Sequence, residues 1–171
     1  MPVRVSADHI AAGGGGFQPQ LKSNFTLRMT PPGSDAGAQV VELAMHTFPF
    51  PKMVTEEGTI NYMNSQRKYP GRTTYPTYPL AVTDYVDQQT AAIFEAWHNL
   101  VHDPLTGRGG LCAAIKKQGT LVLFAPDGSL ERKWKLTGMW PKEYNGGDGS
   151  MDDATKNLIT VIFCIDSVIP Q

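Results

Sequence analysis

The most restrictive feature of this sequence is a pair of strand-sized segments joined by a short run of turn residues. Leu121–Phe124 is a continuous apolar run of strand length, and Ala125-Pro126-Asp127-Gly128-Ser129 supplies residues that reverse a chain. Apolar and polar residues then alternate, as in a strand with one buried face. One face carries Leu130, Trp134, Leu136 and Trp140, and the other carries Glu131, Lys133 and Lys135. The pattern predicts an antiparallel hairpin whose Trp134, Leu136 and Trp140 side chains lie in the core.

Further strand-sized segments lie on both sides of this hairpin. They are about Phe25–Met29, Val41–Met45, Thr59–Lys68, Leu80–Val86 and Leu158–Val168. Proline and glycine close several of them, as in Tyr69-Pro70-Gly71. Alternation along the last strand predicts a core face of Val161, Phe163 and Ile165 and a less apolar face of Thr160, Ile162, Cys164 and Asp166.

One amphipathic helix is predicted between Asp87, a candidate N-cap residue, and Asp103-Pro104. Its apolar residues recur at the spacing of a single helical face: Ile93, Phe94, Trp97, Leu100 and Val101. We expect Trp97 to lie in the core. Many short strands and one flanking helix predict a mainly β fold of two packed antiparallel sheets, a sandwich or barrel.

Length and charge limit the classes of protein that fit. The 171 residues suit one domain, predicted over residues 23–171, after an arm of residues 1–22 that contains Gly13–Gly16. Fifteen Lys and Arg against sixteen Asp and Glu leave no basic excess with which to grip a DNA duplex. The N-terminus shows no apolar signal segment, and the apolar runs are too short to cross a bilayer. We expect synthesis in a reducing cytoplasm and no membrane insertion.

The candidate catalytic and metal motifs are all incomplete. His98 and His102 have metal-ligand spacing on the helix, but they flank its apolar stripe and lack the glutamate of a zinc protease motif. Asp148–Asp153 begins like a calcium loop, but Ile159 stands where the bidentate glutamate is required. The sequence contains no nucleophile elbow, phosphate-binding loop or Cys-x-x-Cys pair. We therefore expect a non-enzymatic protein without a cofactor or metal.

Several segments, taken in order, resemble the tube proteins of contractile-tailed bacteriophages. They are the helix around Trp97 with Asp103-Pro104-Leu105-Thr106-Gly107 behind it, the turn Pro126-Asp127-Gly128 leading into Trp134–Pro141, the last strand Ile159–Phe163, and the earlier Lys68-Tyr69-Pro70-Gly71. The resemblance extends from about Val40 to Ile169 and depends on order and spacing. The glycine-rich N-terminus and the segment Tyr75–Pro79 depart from the family pattern.

This resemblance implies a structural virion protein that stacks as hexameric rings into the inner tube of a tail. Each subunit would add strands to a continuous inner β-barrel. The partners would be other copies of the chain, the sheath, tape-measure, baseplate and tail-terminator proteins, and double-stranded DNA in transit. Assembly would take place in the host cytoplasm. A baseplate tube-initiator or the tube of a secretion or injection system is the near alternative, and an OB-like nucleic-acid-binding barrel is an alternative of another class.

Two expectations concern the ring that the resemblance implies. The less apolar face of the last strand, with Thr160, Cys164 and Asp166, is expected to line a lumen without net positive charge, because cationic walls would retain phosphates. Ring assembly would bring the glycine-rich loop before Cys112 towards the strands of a neighbour. Cys112 and Cys164 are therefore candidates for a disulfide between subunits, and two free thiols are the alternative.

Overall fold

A computed structural model describes residues 20–33, 36–152 and 155–171. In this part of the chain the strands are β1 (Phe25–Met29), β2 (Met45–Thr47), β3 (Val54–Tyr62), β4 (Ser65–Thr74), β5 (Tyr78–Thr83), β6 (Lys117–Phe124), β7 (Leu130–Asn145), β8 (Leu158–Cys164) and β9 (Ser167–Pro170). The helices are α1 (Ala36–Ala44), α2 (Thr90–Val101) and the single turn α3 (Cys112–Ile115), with a 3-10 turn at Val86–Gln88. The predicted arm falls almost wholly outside the described residues.

Seven strands form one curled antiparallel sheet in the order β1-β6-β7-β8-β5-β2, with β9 paired to β7 beside β8. Strand β7 belongs to both halves of this sheet. Its first part pairs with β6 and β9, and its second part pairs with β8. The two halves enclose one shared core, which gives a sandwich of two layers. The predicted mainly β, antiparallel architecture is confirmed.

A bulge at Gly138 reverses the inward face of β7. Gly119 pairs with Leu136, but Lys117 pairs with Met139, so β7 holds one extra residue at this point. Gly138 adopts the left-handed conformation, with φ of 66°, that such bulges require. Leu136 and Met139 are therefore both buried.

The position predicted for Trp140 is wrong for this reason. Uninterrupted alternation would place it on the same face as Leu136, but the bulge turns it to the other face, where it is only half-buried. Trp134 lies before the bulge and packs at the edge of the core, with its ring centroid 6.2 Å from that of Phe50. The fully buried positions are occupied by Leu136, Trp97 and Phe163.

The same bulge anchors the junction between β8 and β9. The backbone N–H of Asp166 donates to the carbonyl of Thr137 over 3.0 Å. The Asp166 carboxylate lies directly over Gly138, where a Cβ would clash with it. Lys116 Nζ donates to both carboxylate oxygens at 2.9 and 2.7 Å, and this raises the pKa of Lys116. Asp166 thus ties together the three chain segments that meet at the bend of the sheet.

Helix α2 closes the open side of the sandwich through Trp97. This side chain is fully buried, its ring lies 5.3 Å from that of Phe163, and its Nε1 donates to the carbonyl of Ile115 over 2.9 Å. The predicted helix is therefore present, but it begins at Thr90. Asp87 lies in the preceding 3-10 turn and is not the N-cap residue, a position that Gln89 occupies.

Two strand predictions are wrong. Val41–Met45 was expected as a strand, but α1 runs to Ala44, because burying Val41 and Ala44 on one helical face satisfies the core. Leu43 is consequently left 73% exposed. The single strand expected over Thr59–Lys68 is instead the middle of a hairpin, in which the chain reverses at Met63-Asn64 and β4 continues through Pro70.

We predict that Gly138→Ala destabilises the subunit far more than Gly128→Ala. Both glycines have positive φ, so alanine costs about 1 kcal/mol of backbone strain at either position. Only at Gly138 does the new methyl group displace the Asp166 carboxylate, which raises the expected loss to roughly 3 kcal/mol. Urea unfolding of the two variants and the wild type measures the difference. Equal losses would show that the contact with Asp166 is unimportant.

Candidate assembly surface

The β3–β4 hairpin is an arm that stands outside the curled sheet. Among the described residues, its strands pair only with each other, as a separate two-stranded sheet. Every residue of β4 is exposed, and so is every residue of β3 except the half-buried Gly58. At about 3.3 Å per residue, nine residues reach about 30 Å. The arm is therefore long, thin and open to solvent on both faces.

Cross-strand contacts keep this arm in one register. The Tyr69 ring covers Gly58, its direct partner, so closely that a Cβ at Gly58 would clash with it. Lys68 Nζ lies 2.8 Å from Glu57 Oε1 in an exposed ion pair. Near the base of the arm, the pairing register shifts by one residue between Thr55 and Glu57. The extra residue lies on β4, next to Pro70 and Gly71. A bulge of this kind increases the twist of the ribbon and accommodates the proline.

The tip of the arm exposes apolar side chains. Met63 is 89% exposed and adopts a left-handed conformation, with φ of 49°. Ile60 and Tyr62 next to it are also exposed. A side chain with a Cβ costs about 1 kcal/mol in this backbone conformation, and glycine or asparagine is the usual choice there. The tip therefore combines local strain with unburied apolar surface, both of which binding to a partner would offset.

The structure places the predicted lumen residues on the outer face of β8. Thr160, Ile162 and Cys164 alternate with buried neighbours and are half-buried. Their strand partners on β7 are Asn145, Glu143 and Trp140. We name these six residues the outer β8 face. Asp166 follows this face beyond the buried Ile165 and is exposed, but its charge is paired with Lys116.

Both cysteines are free thiols that line one cavity of about 620 Å³ within a single subunit. Cys112 is exposed at the first residue of α3, and Cys164 is half-buried beside Trp140. Lys116 and Asp166 also line this cavity. The structure therefore brings together, in one chain, the two residues predicted to join neighbouring chains. A bridge between them stays a prediction.

The candidate metal motifs gain no support from the geometry. His98 is half-buried and His102 is exposed at the C-terminal end of α2. Among the described residues, no three His, Cys, Asp or Glu side chains form a group that could hold a metal ion. Asp153, the last residue of the calcium-like segment, lies outside them. No helix in the described part of the chain is both long enough and apolar enough to cross a membrane.

No protein-family model matches the chain, and no curated protein matches it in sequence. Solved structures do resemble it. A chain from the sheath/tube terminator of the PVC extracellular contractile injection system in its extended state aligns with TM-score 0.66 at 14% identity, covering 90% of this chain and 97% of that one. A chain from the tube-terminating cap of the anti-feeding prophage has TM-score 0.66 at 12% identity, with 90% and 91% covered.

A third solved structure extends the likeness to nearly the whole length of both chains. A chain from the PVC sheath-tube complex in its extended state aligns with TM-score 0.64 at 16% identity, covering 98% of each chain. The chain has the fold of contractile-system tube proteins. This tube-protein fold accounts for the curled antiparallel sheet and its flanking helix.

The hairpin arm was not predicted from the sequence, although its residues contain the features of a chain reversal and of a cross-strand pair. Met63-Asn64-Ser65 is a plausible reversal, because asparagine tolerates turn conformations. Gly58 and Tyr69 are symmetrically placed about that turn, as a glycine covered by a cross-strand aromatic ring must be. Neither strand of Val54–Thr74 has a buried face, so apolar and polar residues do not alternate along them as they do in a half-buried strand.

Proposed function

We propose that the chain is a structural, non-enzymatic subunit that stacks as hexameric rings into the hollow tube of a contractile apparatus. The observation that carries the proposal is the solvent-exposed β3–β4 arm on a tube-protein fold. In the described part of a single subunit, no strand pairs with the outer edges of this arm. In a stack of rings, it would reach a neighbouring subunit and complete its hydrogen bonding there.

The arm has the features of a ribbon that is stabilised by a binding partner. Two-stranded ribbons are marginally stable in water, and three or more strands, or packing on another element, are needed for independent stability. Each strand of the arm also leaves one edge of N–H and C=O groups unpaired. An added strand would satisfy these groups and cover Ile60, Tyr62 and Met63.

The channel wall in this proposal is the outer β8 face. Its six residues carry one carboxylate, that of Glu143, and no cation, while the exposed Lys142 lies between Trp140 and Glu143 at a bulge in β7. Asp166 beyond it is neutralised by Lys116. Such a wall lets a phosphate polymer slide, because it offers few charges that would displace its counterions. In a two-layer sandwich the other layer, whose outer face includes Arg28, Lys133 and Lys135, would then face the outside of the tube.

We favour a phage-type tail, which is the apparatus that the sequence resemblance implies. The tube would conduct double-stranded DNA while a sheath contracts around it, with tape-measure, baseplate and terminator proteins as further partners. An injection-system tube would share the same fold and is the alternative with a cargo other than DNA. Extraction of nucleic acid from purified particles separates these two cargoes.

A second candidate is a single ring at one end of the tube. Chains from a terminator and from a tube-terminating cap align with this chain as well as the chain from the sheath-tube complex does, at TM-scores of 0.66 and 0.64. A terminal ring and a main tube use the same fold but differ greatly in copy number.

We predict that the purified protein forms rings or long hollow filaments in negative-stain electron microscopy. Edge pairing between subunits drives this assembly, because it removes exposed sheet edges. The experiment should include a baseplate fraction as a template. Hundreds of copies per particle would identify the main tube, and one ring per particle would identify a terminal ring. A chain that stays monomeric at every salt concentration, with or without the template, contradicts the proposal.

We predict that Met63→Gly weakens assembly without destabilising the subunit. Glycine relieves the left-handed strain at the tip, about 1 kcal/mol, but it removes the apolar side chain that would contact a neighbour. The protein concentration needed for assembly should rise about tenfold. Met151→Gly is the matched control, since Met151 is also a fully exposed methionine. If both variants assemble like the wild type, the tip makes no contact between subunits.

A further inference from the structure

The loop that follows α2 holds an exposed leucine in a fixed position. Leu105 is 94% exposed. Asp103 organises the loop around it: the Thr106 hydroxyl donates to one carboxylate oxygen over 2.6 Å, and the Leu105 N–H donates to the other over 2.9 Å. The Asp103 N–H donates to the carbonyl of Arg108 over 3.0 Å. The bonds to the carboxylate, first that from the Thr106 hydroxyl and then that from the Leu105 N–H, lower the pKa of Asp103, so the carboxylate holds the loop at neutral pH.

A receiving surface lies before the other end of α2. An apolar cavity of about 560 Å³ is lined by Gln39, Val40, Leu43, Tyr85 and Gln88. Leu43 and Tyr85 are exposed at this cavity, and they leave apolar surface uncovered in the single subunit. Asp87 is exposed in an adjoining depression that shares Val40 and Gln88 with the cavity.

One exposed charge on each surface is opposite in sign to that on the other, and the second charge of the loop, the Asp103 carboxylate, already accepts hydrogen bonds from Leu105 and Thr106. Arg108 is exposed on the Leu105 loop, and Asp87 is exposed beside the cavity. Neither side chain takes part in an ion pair among the described residues. The loop therefore presents an apolar side chain with a free cation, and the cavity presents an apolar surface with a free carboxylate.

The geometry of α2 prevents one subunit from joining these surfaces itself. The helix has twelve residues, about 18 Å at 1.5 Å per residue, with the cavity before its first turn and the loop after its last. Contacts between two different surfaces of identical chains are head-to-tail, and such contacts generate rings or open stacks. The exposed pair on one chain thus suits repeated assembly.

We infer that the Leu105 loop of one subunit docks into the cavity beside Leu43 of the next copy, with Arg108 facing Asp87. This contact rests on the proposed tube function and assigns a subunit interface to it. It involves α1, the 3-10 turn before α2 and the loop after α2, and no residue of the β3–β4 arm.

A charge-reversal experiment tests the contact. Arg108→Asp and Asp87→Arg should each raise the protein concentration needed for ring or tube formation about tenfold, because like charges then face each other. The double variant restores an opposite pair and should return this concentration to within about threefold of the wild type. Sedimentation at low salt measures assembly, and circular dichroism of each variant verifies the fold.

A second pair of variants tests the apolar part of the contact. Leu105→Asp should abolish assembly, whereas Leu130→Asp, at an exposed leucine in the β6–β7 turn region, should leave it unchanged. If the wild type forms no rings at all, the proposed function fails. If the wild type assembles and the charge-reversed single variants assemble equally well, only the docking contact is refuted. Failure of the double variant to recover also refutes it.

Discussion

Strand β7 is hydrogen-bonded to neighbouring strands along both of its edges. The curl of the sheet depends on the bulge at Gly138, where the alternation of inward and outward side chains along β7 shifts by one residue. Before the bulge, β7 buries Leu136 against β6, and after it, β7 buries Met139 and pairs with β8. Asp166 and Lys116 fix the bend by tying the β8–β9 junction to the start of β6. The bend leaves one side of the sandwich open, and Trp97 of α2 fills it.

The packed core of this subunit and its exposed apolar surfaces lie in different parts of the molecule. The core is continuous and, in the described residues, contains no buried side-chain polar atom without a partner. The periphery holds the arm with Met63 at its tip, the loop with Leu105 and the cavity beside Leu43, each with apolar surface open to solvent. Such surfaces on a well-packed chain indicate a protein that completes its structure by assembly. The assembly into a tube that we propose would cover all three of them.

Local patterns predicted the parts of the fold in which one face of an element is buried. The β6–β7 hairpin, β8 and α2 all have such a face, and periodicity revealed each of them. Periodicity could not reveal the arm, which has no buried face. Periodicity also misassigned α1, because the alternation of Val41, Leu43 and Met45 is that of a strand. In the structure the buried residues are Val41 and Ala44, which share one face of a helix. Trp140 was misplaced because a single inserted residue, Gly138, inverts the side chains that follow it, until a second bulge between Pro141 and Glu143 restores the original alternation.

If, as we propose, a neighbouring subunit completes the β3–β4 arm, the amides of the arm become protected on assembly, and hydrogen exchange measures this protection. Amide exchange of Val54–Thr74 should be compared between dissociated subunits and assembled particles, with the β6–β7 hairpin as the internal reference. The outward-facing amides of the arm exchange freely in a single subunit, and pairing with a neighbour should slow them by at least about a hundredfold. Particles in which these amides exchange as fast as in the free subunit would contradict the account.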